Sequence, residues 1–395
     1  MLNIKHNDKN VLRLTCAQAL SMTTMNVNMI NTALVGSLLA PVAWLSTLPL
    51  SLMFVMSMLT TLPVSLLMSR YGRRPLFIMG VCVAVLSAFS QGMAIVLDNY
   101  VFFCIASMGL GFSLACSGFY RYAAADSAAP EDKPRAISWV LTGGLVAAFL
   151  GPEIARNSVD LVPDALYAGC FFTASFVQLF SLIFVAGVKI PKPEQQSYVG
   201  RPMSVFLRMP VFLIGMLCAA LGYALMSYLM TATPLQVVNV SQLGTSANAT
   251  IIQWHVVAMF APSFFTGSLI ARYGVGRILG SGVLAYIAVI VLALMGRDFW
   301  HYFGALFLLG IGWNFLYIGG SSLVAQVAHP EERGRVQGFA DLVMTVLVAS
   351  ASLIAGMVHS QLGWEVMVLA ACLPVFLLMC SVGWLASDRF HNTQA

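Results

Sequence analysis

Two short patterns hold the chemistry this sequence offers: Met226-x-x-x-Met230 and His255-x-x-x-Met259. A spacing of four puts both side chains of each pair on one helix face, about one turn apart. Three thioethers and one imidazole are soft, neutral donors that suit a monovalent ion such as Cu(I). His255 stands inside an apolar run. A polar ring there needs a partner, either a ligand or a hydrogen bond from a neighbouring helix through Gln253 or a backbone carbonyl. A further Met-x-x-x-Met, Met25 with Met29, lies 201 residues earlier. Chance alone supplies about one such pair in a chain this rich in methionine, so the elements around these residues must carry the argument.

Those elements are hydrophobic throughout. Of 395 residues, 59% are hydrophobic and 9% charged, where a soluble protein has about a quarter charged. Apolar runs recur, each long enough to cross about 30 Å of hydrocarbon. With no water in the bilayer core to bond the backbone, such spans are expected to be helices. Twelve are expected, near 14–36, 44–68, 76–96, 101–122, 137–156, 166–187, 209–235, 247–270, 278–296, 301–327, 338–360 and 365–386. Residues 1–11 are polar and lack a cleavable-signal pattern, so the first run is expected to stay as a span.

Charge gives the orientation. The joints on one side hold only Arg156 and Arg297, and the termini and the joints on the other side hold 18 of the 20 Lys and Arg (20 − 2 = 18). The positive-inside rule then puts both termini and the central loop in the cytoplasm. A net charge of +5, spread over such loops, does not indicate a nucleic-acid partner. The eight cysteines are scattered without a Cys-x-x-Cys pair and read as small buried hydrophobes.

The halves repeat at an offset near 200. Residues 65–74, SLLMSRYGRR, answer to 267–277, GSLIARYGVGR, and 130–135, PEDKPR, answer to 330–335, PEERGR. Two matches at nearly one offset indicate a six-plus-six duplication. The expected domains are 1–188, a linker 189–208 rich in Pro and charge, and 209–395. Here the chain resembles the major facilitator superfamily over essentially its whole length, through the loop Arg70, Gly72, Arg73 and Arg74 and its echo at Arg272 and Gly274. The resemblance implies an all-α membrane protein of twelve helices in two pseudo-symmetric bundles that alternate about a central site. That superfamily usually has Gly and Asp where this chain has Ser65 and Ser69, so gating is expected to rest on Arg70 with helix ends and carbonyls.

Within that superfamily the paired motifs resemble the CcoA-like copper importers, known for Met-x-x-x-Met in span 7 and His-x-x-x-Met in span 8. The resemblance implies copper uptake across a bacterial inner membrane for cytochrome oxidase assembly, with Met226, Met230, His255 and Met259 holding the ion. Met25 and Met29 in span 1, and Met53 and Met56 in span 2, are further candidate ligands. At 1.5 Å per residue, Met226 lies about 25 Å along span 7 and His255 about 12 Å from the outer end of span 8, so both fall in the outer half. Copper is then cargo, and no resident cofactor is expected.

Two other transport readings use different residues. Trp254, Tyr223, Tyr228 and Trp313 could stack on a flat ring, with Gln253 and Asn26 bonding its edge. A related group resembles riboflavin importers, and that solute is the alternative cargo. Gly143-Gly144 and Gly151-Pro152 faintly resemble the span-5 motif of drug-efflux antiporters, but small residues there equally serve close helix packing. Glu153 and Arg156 flank the outer end of span 5 and can pair. Asp126 and Asp341 sit near the cytoplasm, and no buried carboxylate pair marks a proton relay. No nucleophile–base pair or phosphate loop supports an enzyme. The expected partners are a small molecule or metal ion and the lipid bilayer, with the protein a monomer.

Overall fold

The apolar runs fold as helices in a computed structural model that describes residues 6–128, 133–190, 200–329 and 332–387. The helices are α1 (His6–Leu39), α2 (Leu48–Tyr71), α3 (Arg73–Val96), α4 (Tyr100–Ser117), α5 (Tyr120–Asp126), α6 (Lys133–Asn157), α7 (Ala168–Leu179) and α8 (Ser181–Ala186). They continue as α9 (Met203–Phe206), α10 (Pro210–Pro234), α11 (Thr245–Phe260), α12 (Ser263–Tyr273), α13 (Val275–Met295), α14 (Phe299–Gln326), α15 (Arg333–Ala370) and α16 (Cys372–Ala386). Much of the expected linker lies outside the described residues, as do 130–132 and 330–331 of the second repeated motif.

Nine described stretches are long and apolar enough to cross a membrane, and α11 with α12, bent by 44°, makes a tenth. One of the nine, Arg335–Ala386, breaks at Gly363 (φ 81°) and supplies two crossings. The twelfth is α1, 34 residues long, whose apolar signal is diluted by buried Asn10, Gln18, Asn26, Asn28 and Asn31. The expected spans 338–360 and 365–386 thus meet at Gly363. The first span begins eight residues before position 14, because its polar turn at His6–Arg13 is already helical.

The described chain divides into two compact units. The first takes in residues up to 190 together with Gly244–Val256, and the second takes in 200–243 and those from Val257 onward. In the first, α1 packs on α6, α2 on α4, and α3 on α4 and α7. The α1–α6 contact depends on Gly143 and Gly151. A Cβ on Gly143 would lie 2.8 Å from the Ala19 nitrogen and the Thr15 carbonyl, and one on Gly151 would lie 2.5 Å from the Asn26 Cβ. Close packing therefore accounts for these glycines. A core of Leu14, Val64, Phe77, Tyr120, Val140 and Val185 fills one end of the unit. There the Phe77 and Tyr120 rings meet edge-on at 4.7 Å. Arg73 pairs with Asp126 at 2.6 Å.

In the second unit α10 packs on α14 and α15, and α13 on α14 and α16. The α10–α14 contact is again made at glycines, since a Cβ on Gly320 would lie 2.5 Å from the Gly215 carbonyl. Below it Phe206, Phe212, Met216, Val324 and Val336 form a core, roofed by the Arg201 guanidinium 4.7 Å from the Phe206 ring. Glu332 accepts from Arg201 Nε at 2.9 Å, Nη2 at 2.6 Å and the backbone N–H at 2.9 Å. It also accepts from the His329 N–H at 3.1 Å. These bonds, chiefly those from the Arg201 side chain, hold the Glu332 carboxyl well below the usual carboxylate range.

The repeated loop keeps its geometry in both units. Gly72 (φ 89°) ends α2 and Gly274 (φ 84°) ends α12, a backbone region that strains any side chain with a Cβ. Just before each glycine an arginine lies over the next residue's ring, Arg70 on Tyr71 at 5.3 Å and Arg272 on Tyr273 at 5.2 Å.

Gly320→Ala forces a methyl onto a carbonyl and should cost about 1–3 kcal/mol of stability, whereas Gly383→Ala, with nothing within 4 Å, should be neutral. Thermal melting in detergent checks both. Because the Glu332 carboxyl is depressed in the folded state, its stabilisation is present above its unfolded pKa, about 4.3, and fades as pH falls toward the folded value. The melting temperature of Glu332→Gln should therefore lie below wild type by a constant gap from pH 8 to pH 6, closing below about pH 4.

Candidate functional site

The residues expected to bind copper are divided between the units. Met226 and Met230 on α10 and Met259 on α11 belong to the second, where all three are buried, while His255, fully buried, belongs to the first. Neither unit assembles the set of four by itself. Among the described residues no group of three His, Cys, Asp or Glu gathers to hold a metal, which leaves thioether ligation untouched.

The other candidate methionines lie in the first unit. Met25 lines a cavity of about 20 Å³ with Ser21, Thr24, Ser113, Ser117 and Gln178, a space that fits one water. Met53 is buried where α2 meets α4. Its carbonyl and the Met56 Cβ crowd Gly111 and leave no room for a Cβ there. Met29 is half-buried.

A polar network fills the middle of this unit. Gln91, wholly buried, donates to Asn28 Oδ1 and Ser107 Oγ, both at 2.9 Å. Thr32 adds a bond of 3.0 Å to the same Asn28 oxygen. Thr24 donates to Gln178 Oε1 at 3.1 Å. The two side chains expected to bond the edge of a flat solute are engaged elsewhere. Asn26 donates to the Ala147 carbonyl at 2.9 Å, and Gln253 accepts from Arg156 at 2.6 Å. Arg156 also pairs with Glu153, as the sequence leads one to expect.

The second unit holds an aromatic cluster. Trp313 and Tyr317, one turn apart on α14, stack with centroids 5.0 Å apart and planes 6° from parallel. Tyr223 of α10 meets them edge-on at 5.4 and 6.2 Å, and Phe260 meets Trp313 at 6.1 Å. Such edge and offset geometries follow the ring quadrupoles. Tyr223, Met226, Ser227 and Met230 recur at helical spacing on one face of α10. Of the four aromatics expected to stack on a solute, Tyr223 and Trp313 are in the cluster. Tyr228 is buried on α10, and Trp254 is an exposed residue of the first unit. Tyr317 and Phe260 escaped the sequence reading, though i+4 spacing from Trp313 and adjacency to Met259 were the available signals.

The α11–α12 break holds Phe260 in place. Pro262 has no N–H to give the helix ladder. Asn314 splints the gap, donating 2.7 Å bonds to the Met259 carbonyl and the Ser263 hydroxyl, while Thr266 donates to its oxygen at 2.6 Å. Near the end of α10, a π-helical turn at Leu235–Val240 carries the buried Gln236. It bonds Tyr302 at 2.8 Å and His359 at 3.0 Å. His359 is a second histidine within a span that sequence reasoning passed over.

At the gating loop, Arg70 and Arg272 are exposed on their tyrosines, Arg74 is exposed, and Arg73 makes the ion pair with Asp126. The pairing carboxylate therefore comes from α5. Arg70, expected to be the principal contact, rests on a ring next to it.

The profile of the Major Facilitator Superfamily matches residues 14–261 and 239–394. The chain is 38% identical over 361 residues to the riboflavin transporter RfnT of Brucella anthropi, covering 90% of each. It is 24% identical over 334 residues to the uncharacterized MFS-type transporter YddS of Bacillus subtilis, covering 80% of this chain and 76% of that one. Among solved structures, a bacterial homologue of the human lysosomal transporter Spinster superposes with TM-score 0.70 at 14% identity, covering 94% of each chain. The nucleoside transporter NupG superposes with TM-score 0.69 at 13% identity, covering 94% of this chain and 98% of the other. The copper-importer branch finds no support among these relatives. A succession of helices long and apolar enough to cross a membrane, the twinned loop geometry and a profile match over nearly the whole chain make this protein a member of the major facilitator superfamily, a multi-pass membrane transporter.

Proposed function

We propose that the protein imports riboflavin, or a flat heteroaromatic solute like it, across a bacterial inner membrane by alternating access, with both termini cytoplasmic. The likeness to the Brucella anthropi riboflavin transporter over 90% of both chains carries the proposal. The cluster of Tyr223, Phe260, Trp313 and Tyr317 supports it, since stacked and edge-on rings are the surface a tricyclic ring recognises. The methionines fit the same cargo. Thioethers are polarizable and pack well on aromatic rings, so Met226 and Met230, on the Tyr223 face of α10, serve as lining for a flat ring as readily as ligands for a metal.

Expression in a bacterial riboflavin auxotroph tests the proposal. Wild type should restore growth at low external riboflavin. Trp313→Ala or Tyr317→Ala should raise the KM for uptake by about 2- to 10-fold, the equivalent of losing one aromatic contact, and His255→Ala should leave uptake largely intact. Failure of wild type to rescue, together with a fall in cellular copper on Met226→Ala or His255→Ala, would return the cargo to Cu(I).

A further inference from the structure

Most buried polar side-chain atoms among the described residues have partners, and two of the exceptions in the second unit, Trp313 Nε1 and Ser227 Oγ, belong to residues of the aromatic cluster and of the α10 face that carries Tyr223. Two buried indoles make the contrast. Trp364, 3% exposed, donates Nε1 to the Ala293 carbonyl at 3.0 Å. Trp313, 6% exposed, has an Nε1 that is buried with no hydrogen-bond partner. Two hydroxyls on α10 repeat it. Thr233 donates to the Leu229 carbonyl one turn back, at 2.8 Å, the usual way a helix satisfies a hydroxyl. Ser227, 4% exposed and placed to do the same with the Tyr223 carbonyl, has an Oγ without a partner. Ser227 follows Tyr223 by one turn on the same face. Leaving a buried donor unmade costs a membrane protein as much as losing a hydrogen bond outright, so two such atoms at one cluster mark a place where something else supplies the bond.

We propose that Trp313 Nε1 and Ser227 Oγ are the hydrogen-bonding groups of the cargo site, set to read the acceptor edge of a heteroaromatic ring. The indole N–H donates to a ring carbonyl or ring nitrogen. The serine hydroxyl, able to donate or accept, takes the adjacent carbonyl or imide N–H. The rings of Trp313 and Tyr317 supply stacking that tolerates any flat solute, and these two atoms supply selectivity. A site built to bond a polar edge rejects analogues without one, because its own buried groups then stay unpaired. This assignment rests on the flavin reading of the cluster and adds the edge chemistry it selects.

Titration of purified protein in detergent tests it, following the fluorescence of riboflavin and of 9-anthracenemethanol, a tricycle whose ring carries no acceptor, against empty micelles. Trp313→Phe keeps a flat ring, smaller than the indole, and removes the donor, so the lost ring area weakens both ligands alike and the lost donor weakens riboflavin alone. The variant should weaken riboflavin about 10-fold and the anthracene less than 2-fold. Ser227→Ala should weaken riboflavin about 3- to 10-fold with the same selectivity, and it carries the test alone if Trp313→Phe does not fold. Equal weakening of both ligands, or no change in either, would assign the residues to packing and overturn the inference while leaving the flavin reading standing. Failure of wild type to bind riboflavin would remove that reading and this assignment together.

Discussion

A polar side chain on a membrane-spanning helix has only other protein atoms to bond, because the hydrocarbon around it offers none. That constraint organises both units. In the first, α1 carries a run of amides and hydroxyls that could not face lipid, and Gln91 gathers Asn28 and Ser107 into one buried hub. In the second, Asn314 occupies the gap left by Pro262, and Gln236 ties α10 to Tyr302 and His359. Networks of this kind fix which helices are neighbours and in what register, a job that apolar packing alone does poorly where lipid is as greasy as leucine.

The same rule separates scaffold from site. Asn26 and Gln253 have the chemistry to hold a solute, yet both are committed to holding helices together. Trp313 and Ser227 lie in an equally buried setting without commitments. Burial and residue type do not distinguish the two groups, whereas occupancy of the hydrogen-bonding atoms does. The methionines cannot be sorted this way, because a thioether has no strong bond to leave unmade. Met-x-x-x-Met is thus weak evidence about cargo, and the aromatic neighbours decide how these residues read.

Much of the architecture was legible in the sequence because it depends on local rules. Run length set the spans, and the repeated Arg-Tyr-Gly predicted a duplication that reappears as matching left-handed glycines and matching arginine–tyrosine contacts. Gly143 and Gly151 packed as small residues do. What escaped depends on partners far away in the chain. The carboxylate for the gating loop comes from Asp126, more than fifty positions after Arg73. Tyr317 and Phe260 become site residues only through Trp313. The boundary after α10 runs on into a π-helical turn, because Gln236 is held by two other helices.

The amide-rich face of α1 bears on how the protein is made. This helix leaves the ribosome well before α3 and α6, whose atoms bond its Asn28 and Asn26. On its own it is a poor candidate to partition from the translocon into lipid, since each bare amide resists the transfer. Biogenesis then favours delay, with α1 retained beside the insertion machinery until its later companions emerge and the group is released together. Folding of this unit would be a collective act from its first step, since the groups that satisfy α1 stand on helices made after it.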